Sequence, residues 1–168
     1  TELEFEPIEI FIDKNKVLVF GSYYQQIPTL PLIGPGYQTE KQSIYPYSTT
    51  LTTIQIFDVS NKAEPELLRT IEFEGSYLTS KKINRKVYFV LNTYPNYYAF
   101  SQENTNIIPL YRDSKKTGGI FAPIATYNNI YYFAPIQAQN FITLVSLSME
   151  NVADEIAKKV IVGSGQNV

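Results

Sequence analysis

Tyr111, Arg112 and Asp113 set a phenol, a guanidinium and a carboxylate side by side, the most chemically specific polar group in this sequence. A guanidinium grips a carboxylate with two parallel N–H bonds, and an aspartate ahead of a serine (Ser114) caps a turn. The trio therefore fits a fixed loop, or an anion-gripping contact made by Arg112. Tyr45 and Tyr47 in one Tyr/Pro-rich stretch, with Tyr94, Tyr97 and Tyr98 in another, offer rings that stack on sugars or receive a peptide, or that roof a sheet while their hydroxyls reach water. The acids Glu40, Glu103 and Asp113 fall in the same stretches. A two-carboxylate glycosidase needs such a pair about 5–10 Å apart, a distance that a sequence does not supply.

Other chemistries are excluded or weak. The chain has no histidine and no cysteine, which removes imidazole bases, thiolate nucleophiles, disulfides and nearly every zinc or redox-metal site. The run from Asp58 to Glu66 holds several oxygen donors, but Lys62 stands among them and no glycine shapes a calcium loop. Asp58 and Ser60 are expected to accept backbone hydrogens in a turn, with calcium as the alternative. Gly163-Ser164-Gly165 lacks the lysine of a phosphate loop. No catalytic residue, metal site or cofactor is assigned.

The elements that must carry these residues are strands. With 168 residues the chain is long enough for one ordinary domain, and its 14 tyrosines and 10 phenylalanines suit sheet better than helix. A net charge of -2 and the absence of basic runs argue against nucleic acid, and no apolar run is long enough to span a bilayer. The stretch 52–90 organises the rest. Ile54 and Ile56, then Leu67, Ile71 and Phe73, place apolar side chains at near-alternating positions around a turn that ends at Pro65.

The hairpin at 8–20, bending at 13–16, is echoed about 70 residues later by the hairpin at 76–92, bending at Asn84 and Arg85. The fold class predicted is all-β: a partial β-propeller of two four-stranded antiparallel blades with two long Tyr/Pro-rich insertions. Blade one spans 8–75 with its insertion at 22–51. Blade two spans 76–163 with its insertion at 93–138. Residues 1–5 supply a strand to a neighbouring or closing blade. Asn128 and Asn129 are expected to bend a hairpin if 118–133 holds further strands, and 152–158 to make a helical turn or two.

Several segments, in this order, resemble one family: Ile54 to Ser60 with Pro65 after it, IEFEGSYLTSKKI at 71–83, VYFVLNTY at 87–94, IIPLYRDS at 107–114 and VGSGQNV at 162–168. The chain resembles bacterial secreted proteins carrying a C-terminal β-propeller distantly related to WD40 repeats. That resemblance implies an extracellular or cell-surface location, with any membrane tether outside this chain. The expected role is noncatalytic recognition of a protein or surface glycan, and the competing expectation is a carbohydrate-active hydrolase using an acidic pair. The sequence ends where a third copy of the repeat begins, so open blade faces are expected to favour self-association.

Overall fold

The computed structural model describes residues 3–28, 46–95, 106–135 and 139–163. Four consecutive strands, β1 (Glu6–Asp13), β2 (Lys16–Ile27), β3 (Tyr47–Asp58) and β4 (Glu66–Glu74), pair antiparallel in chain order. Two short strands, β7 (Leu110–Asp113) and β8 (Ala122–Pro123), extend this sheet beyond β4. The second sheet runs β5 (Ser76–Ile83), β6 (Lys86–Thr93), β10 (Phe141–Ser148), β11 (Ala157–Val162) and β9 (Ile130–Tyr132), the last pair parallel. The fold is all-β, with two sheets that do not close into a barrel, an open propeller-like arrangement.

Several local expectations give way. The β2–β3 ladder does not stop at residue 22 but continues from Ser22 opposite Thr52 to Ile27 opposite Tyr47, so both ends of the first excursion are strand. Alternation persists there, with Leu51 and Ile27 buried. The second excursion gives up β7 and β8 to the first sheet and β9 to the second. Tyr127–Asn129 form a 3-10 turn leading into β9 rather than a hairpin bend. No helix forms at 152–158, where turns lead into β11. Residues 3–5 are not strand; they lie along the first sheet, where Phe5 packs so closely on Gly21 that a Cβ there would fall 1.9 Å from its ring.

The two hairpins correspond residue by residue in their pairing. Each turns through two residues, the first left-handed (Lys14 at φ 55, Asn84 at φ 53), and each carries a bulge at the same place, between Pro7 and Glu9 and between Tyr77 and Thr79. The following strand repeats as well. Val59 N–H donates to Asn15 O at 2.7 Å as Met149 N–H donates to Arg85 O at 2.9 Å, and Gly75 N–H donates to Thr50 O at 2.9 Å as Gly163 N–H donates to Asn140 O at 3.0 Å. β1 to β4 thus correspond to β5, β6, β10 and β11.

Alternation turns one face of each sheet toward the other. Leu18, Phe20, Ile54, Ile56, Ile71 and Phe73 of the first meet Val87, Phe89, Leu91, Val145, Leu147 and Val160 of the second in one core. Phe89 sits edge-on to Phe20 at 5.1 Å and to Phe73 at 5.6 Å. Each such buried side chain contributes about 1.5–3 kcal/mol. Leu67 does not join them. The regular register sets Arg69 opposite Ile56, and a bulge beyond it sets Leu67 opposite Phe57, so Arg69 is buried and Leu67 half exposed. The chain crosses between sheets at Gly75, whose φ of 117 suits glycine, with Thr52 Oγ1 donating to Gly75 O and Thr93 Oγ1 to Glu74 O, both at 2.8 Å.

Candidate functional site

The period of two in β7 divides the polar trio between the faces of the sheet. Tyr111 and Asp113 turn inward. Tyr111 stacks on Phe73 at 5.9 Å, with the Lys158 ammonium 4.0 Å from its ring centre. Asp113 is fully buried and takes a two-pronged bond from Arg69, Nε to Oδ1 at 3.0 Å and Nη2 to Oδ2 at 2.5 Å. It also caps the turn that follows, since Lys115 N–H donates to its Oδ1 at 2.9 Å. The carboxylate that Arg69 grips is therefore not available to a ligand.

Arg112 turns the other way, beside Glu72 on β4, its partner across the strand pair. Its Nε donates to Glu72 Oε2, and its Nη2 donates to the Tyr23 hydroxyl at 3.2 Å and to Gln25 Oε1 at 3.5 Å. Tyr23 Oη in turn donates to Glu72 Oε1. The guanidinium lies 4.7 Å from the centre of the Phe121 ring. Burial, and then the Glu72 carboxylate, push the Tyr23 hydroxyl up to about 12, while the bond to Glu72 holds Arg112 above its ordinary value. Both keep their protons at neutral pH.

This triad walls a cleft of about 560 Å³ on the outer face of the first sheet. Thr53 and Gln55 of β3 and Thr70 of β4 line it further, with Gln25 of β2, Glu4 and the ring of Phe5. Carboxamides, hydroxyls, a neutralised acid–base pair and an aromatic ring converge there. The register that the two sheets share makes this face unusual. Where the second sheet places Leu91, Val145 and Val160 in the core, the first places Gly21, Gln55 and Glu72. Apolar bulk has been exchanged for space and hydrogen-bonding groups.

The remaining expected residues fall elsewhere. Tyr47 donates to Glu74 Oε1 at 2.9 Å, and burial drives its hydroxyl far above the ordinary tyrosine range. Glu74 also accepts from Leu110 N–H at 3.0 Å, yet desolvation raises its carboxyl to about 7. That titration range suits an acid catalyst, but the group is 4% exposed and does not line the cleft. Tyr94 is exposed at the end of β6. Tyr45, Tyr97, Tyr98, Glu40 and Glu103 lie outside the described residues. Asp58 and Ser60 make the expected turn: Ser60 N–H donates to Asp58 Oδ1 at 2.7 Å, and Asn15 Nδ2 donates to Asp58 Oδ2 at 2.9 Å. These bonds, those from Ser60 first, hold the Asp58 carboxyl below its usual range.

Tyr23 falls within the Tyr/Pro-rich stretch 22–51, but Gln25, Gln55, Thr70 and Glu72 carried no separate signal. Each is an ordinary polar residue at an alternate strand position, and only the register of four strands brings them together. Among the described residues no cluster of three or more acidic side chains is placed to hold a metal ion. No helix among them is long and apolar enough to cross a membrane.

No curated protein and no solved structure matches the chain. A profile of the family described as Beta propeller domain does match, over residues 1–168, and its repeated-sheet architecture agrees with the two corresponding sheets described above. On that match across its whole length, the chain belongs to the beta propeller domain family.

Proposed function

We propose that this is a noncatalytic recognition domain working outside the cell, which holds a neutral, hydroxyl-rich ligand, a saccharide of the cell surface, in the cleft over β3, β4 and β7. One observation carries the reading: Gly21, Gln55 and Glu72 occupy the places that Leu91, Val145 and Val160 fill with core in the matching repeat. Carboxamide and hydroxyl groups both donate and accept, as vicinal sugar hydroxyls require, and the Phe5 ring offers a sugar its apolar face. Arg112 and Glu72 neutralise each other and the Glu4 carboxylate also lines the cleft, which disfavours an anionic ligand.

Calorimetric titration with soluble cello-, chito- and manno-oligosaccharides tests this, using wild type and a Gln55→Leu/Thr70→Val variant that keeps the cleft's volume but removes its polar floor. Saturable binding to one of these series, weakened about tenfold or more in the variant, is expected from losing buried hydrogen bonds. Equal binding by both proteins, or no binding to any series, contradicts the assignment.

A further inference from the structure

Glu72 and Glu74 stand two residues apart on β4 and so on one face of the first sheet, but they are held differently. Glu72 meets Arg112 at the cleft. Glu74 lies one pleat further along, 4% exposed, and its bonds come from neutral groups, Tyr47 Oη of β3 at 2.9 Å and Leu110 N–H of β7 at 3.0 Å. Leu51 stands opposite it, and Ile27, Leu51 and Leu110 close this end of the face, with Tyr23, Tyr47 and Phe121 packed against them. The titratable and charged groups that these strands turn toward it are Tyr23 on β2, Tyr47 on β3, Glu72 on β4 and Arg112 on β7. Arg112, the cation in that set, is already engaged by Glu72 and Tyr23.

The strand that closes over this carboxylate also carries a wall of the cleft. Asp113, clamped by Arg69, fixes one end of β7 against the core. Leu110, at the other end, is held by Glu74 and by a small apolar cluster separate from the main core. β8 adds only the pairs Leu110 with Pro123 and Tyr111 with Ala122. Arg112 lies between the two ends. A short strand with so few bonds opens locally at less cost than the long ladders beneath it.

We infer that Glu74 is a proton-operated latch on the cleft wall: once it gives up its proton, the Leu110 end of β7 lifts with β8 about Asp113, admitting water to the carboxylate and loosening Arg112 against Glu72. The sign follows from linkage. Burial raises the seated carboxyl to about 7 from 4.5, so the seated form holds the proton more tightly than the lifted, hydrated one. Seating is fully favoured below 4.5 and weakens as the pH rises through about 7. A ligand that needs Arg112 in place is therefore held on the acid side of neutrality and released above it. That regulation rests on the saccharide reading of the cleft, whereas the lifting rests on the contacts of β7 alone.

Amide hydrogen exchange, read by NMR on the full 168-residue chain and corrected for the intrinsic effect of pH on exchange, tests the latch. From about pH 5 to about pH 8, protection of the β7 amides in wild type is expected to fall about tenfold or more relative to the β2–β3 ladder. Glu74→Gln keeps the shape and bonds of the protonated side chain, so its relative protection should hold, with folding checked by circular dichroism. Tyr47→Phe removes a bond that supports the charged form and should carry the loosening to higher pH. Protection of β7 that tracks β2 and β3 at every pH, or that falls equally in Glu74→Gln, overturns the proposal. Calorimetry with the oligosaccharide that binds best should show weaker affinity at the higher pH in wild type and no such difference in Glu74→Gln. Equal affinity at both pH values in wild type overturns the release. If no oligosaccharide binds at either pH while β7 still loosens, the saccharide reading fails and the latch stands.

Discussion

Arg69 and Asp113 are 44 residues apart in the chain and form a buried, two-pronged ion pair whose other donor arm, Arg69 Nη1, reaches Asp154 O at 2.9 Å. One guanidinium thus ties β4, β7 and the connection between β10 and β11 into one body. Removing it leaves the Asp113 carboxylate buried without its counter-ion. Arg69→Ala should cost about 3–5 kcal/mol, read as a lower midpoint in urea unfolding, whereas Arg69→Met combined with Asp113→Leu should recover most of that loss. Equal destabilisation by the single and paired changes would mean that the guanidinium acts by packing rather than by charge.

Glu74 makes stability depend on pH. Its carboxyl titrates at about 7 in the folded chain against 4.5 for the ordinary side chain, because burial disfavours its charge more than Tyr47 and Leu110 support it. A raised folded value means a contribution fully present below 4.5 that is lost as the pH rises through about 7. Glu74→Gln should remove this component, worth a few kcal/mol at order of magnitude. Urea midpoints recorded from pH 4 to about pH 8 should then fall less steeply for the variant than for wild type.

Gly75 and Gly163 occupy matching positions, donating their N–H groups to Thr50 O within β3 and to Asn140 O just before β10, but they should respond differently to alanine. At Gly75 φ is 117, and a Cβ would stand 2.3 Å from Thr93 Oγ1 and 2.8 Å from Asn92 O. At Gly163 the nearest contact would be Ile142 Cγ1 at 3.9 Å, an ordinary packing distance. Gly75→Ala should therefore destabilise by about 2 kcal/mol or more, and Gly163→Ala by much less. Thermal unfolding of the two variants side by side checks the contrast.

What the sequence disclosed follows from what alternation encodes. Ile54, Ile56, Ile71 and Phe73 announced a face, and the two hairpins announced a repeat, because turn residues and apolar period are local properties. Arg69 was hidden. Strict alternation back from Phe73 and Ile71 puts this charged side chain on the core face, and the bulge beyond it turns out Leu67, the residue whose type suited the core. The tripeptide 111–113 read as one site, yet as a strand it sends Tyr111 and Asp113 to one side and Arg112 to the other. The cleft was the least legible part, since its polar lining comes from strands whose order no single segment records.

The cleft is the centre of the functional reading, and amide chemical-shift mapping during titration of the isotopically labelled chain with the oligosaccharide that binds best tests it most directly. The predicted result is a saturable set of shifts at Gln25, Gln55, Thr70 and Glu72, with Tyr94 unmoved at the end of β6. Shifts confined to Tyr94 and its neighbours, with Gln55 and Thr70 silent, would contradict the assignment and return recognition to the exposed tyrosines.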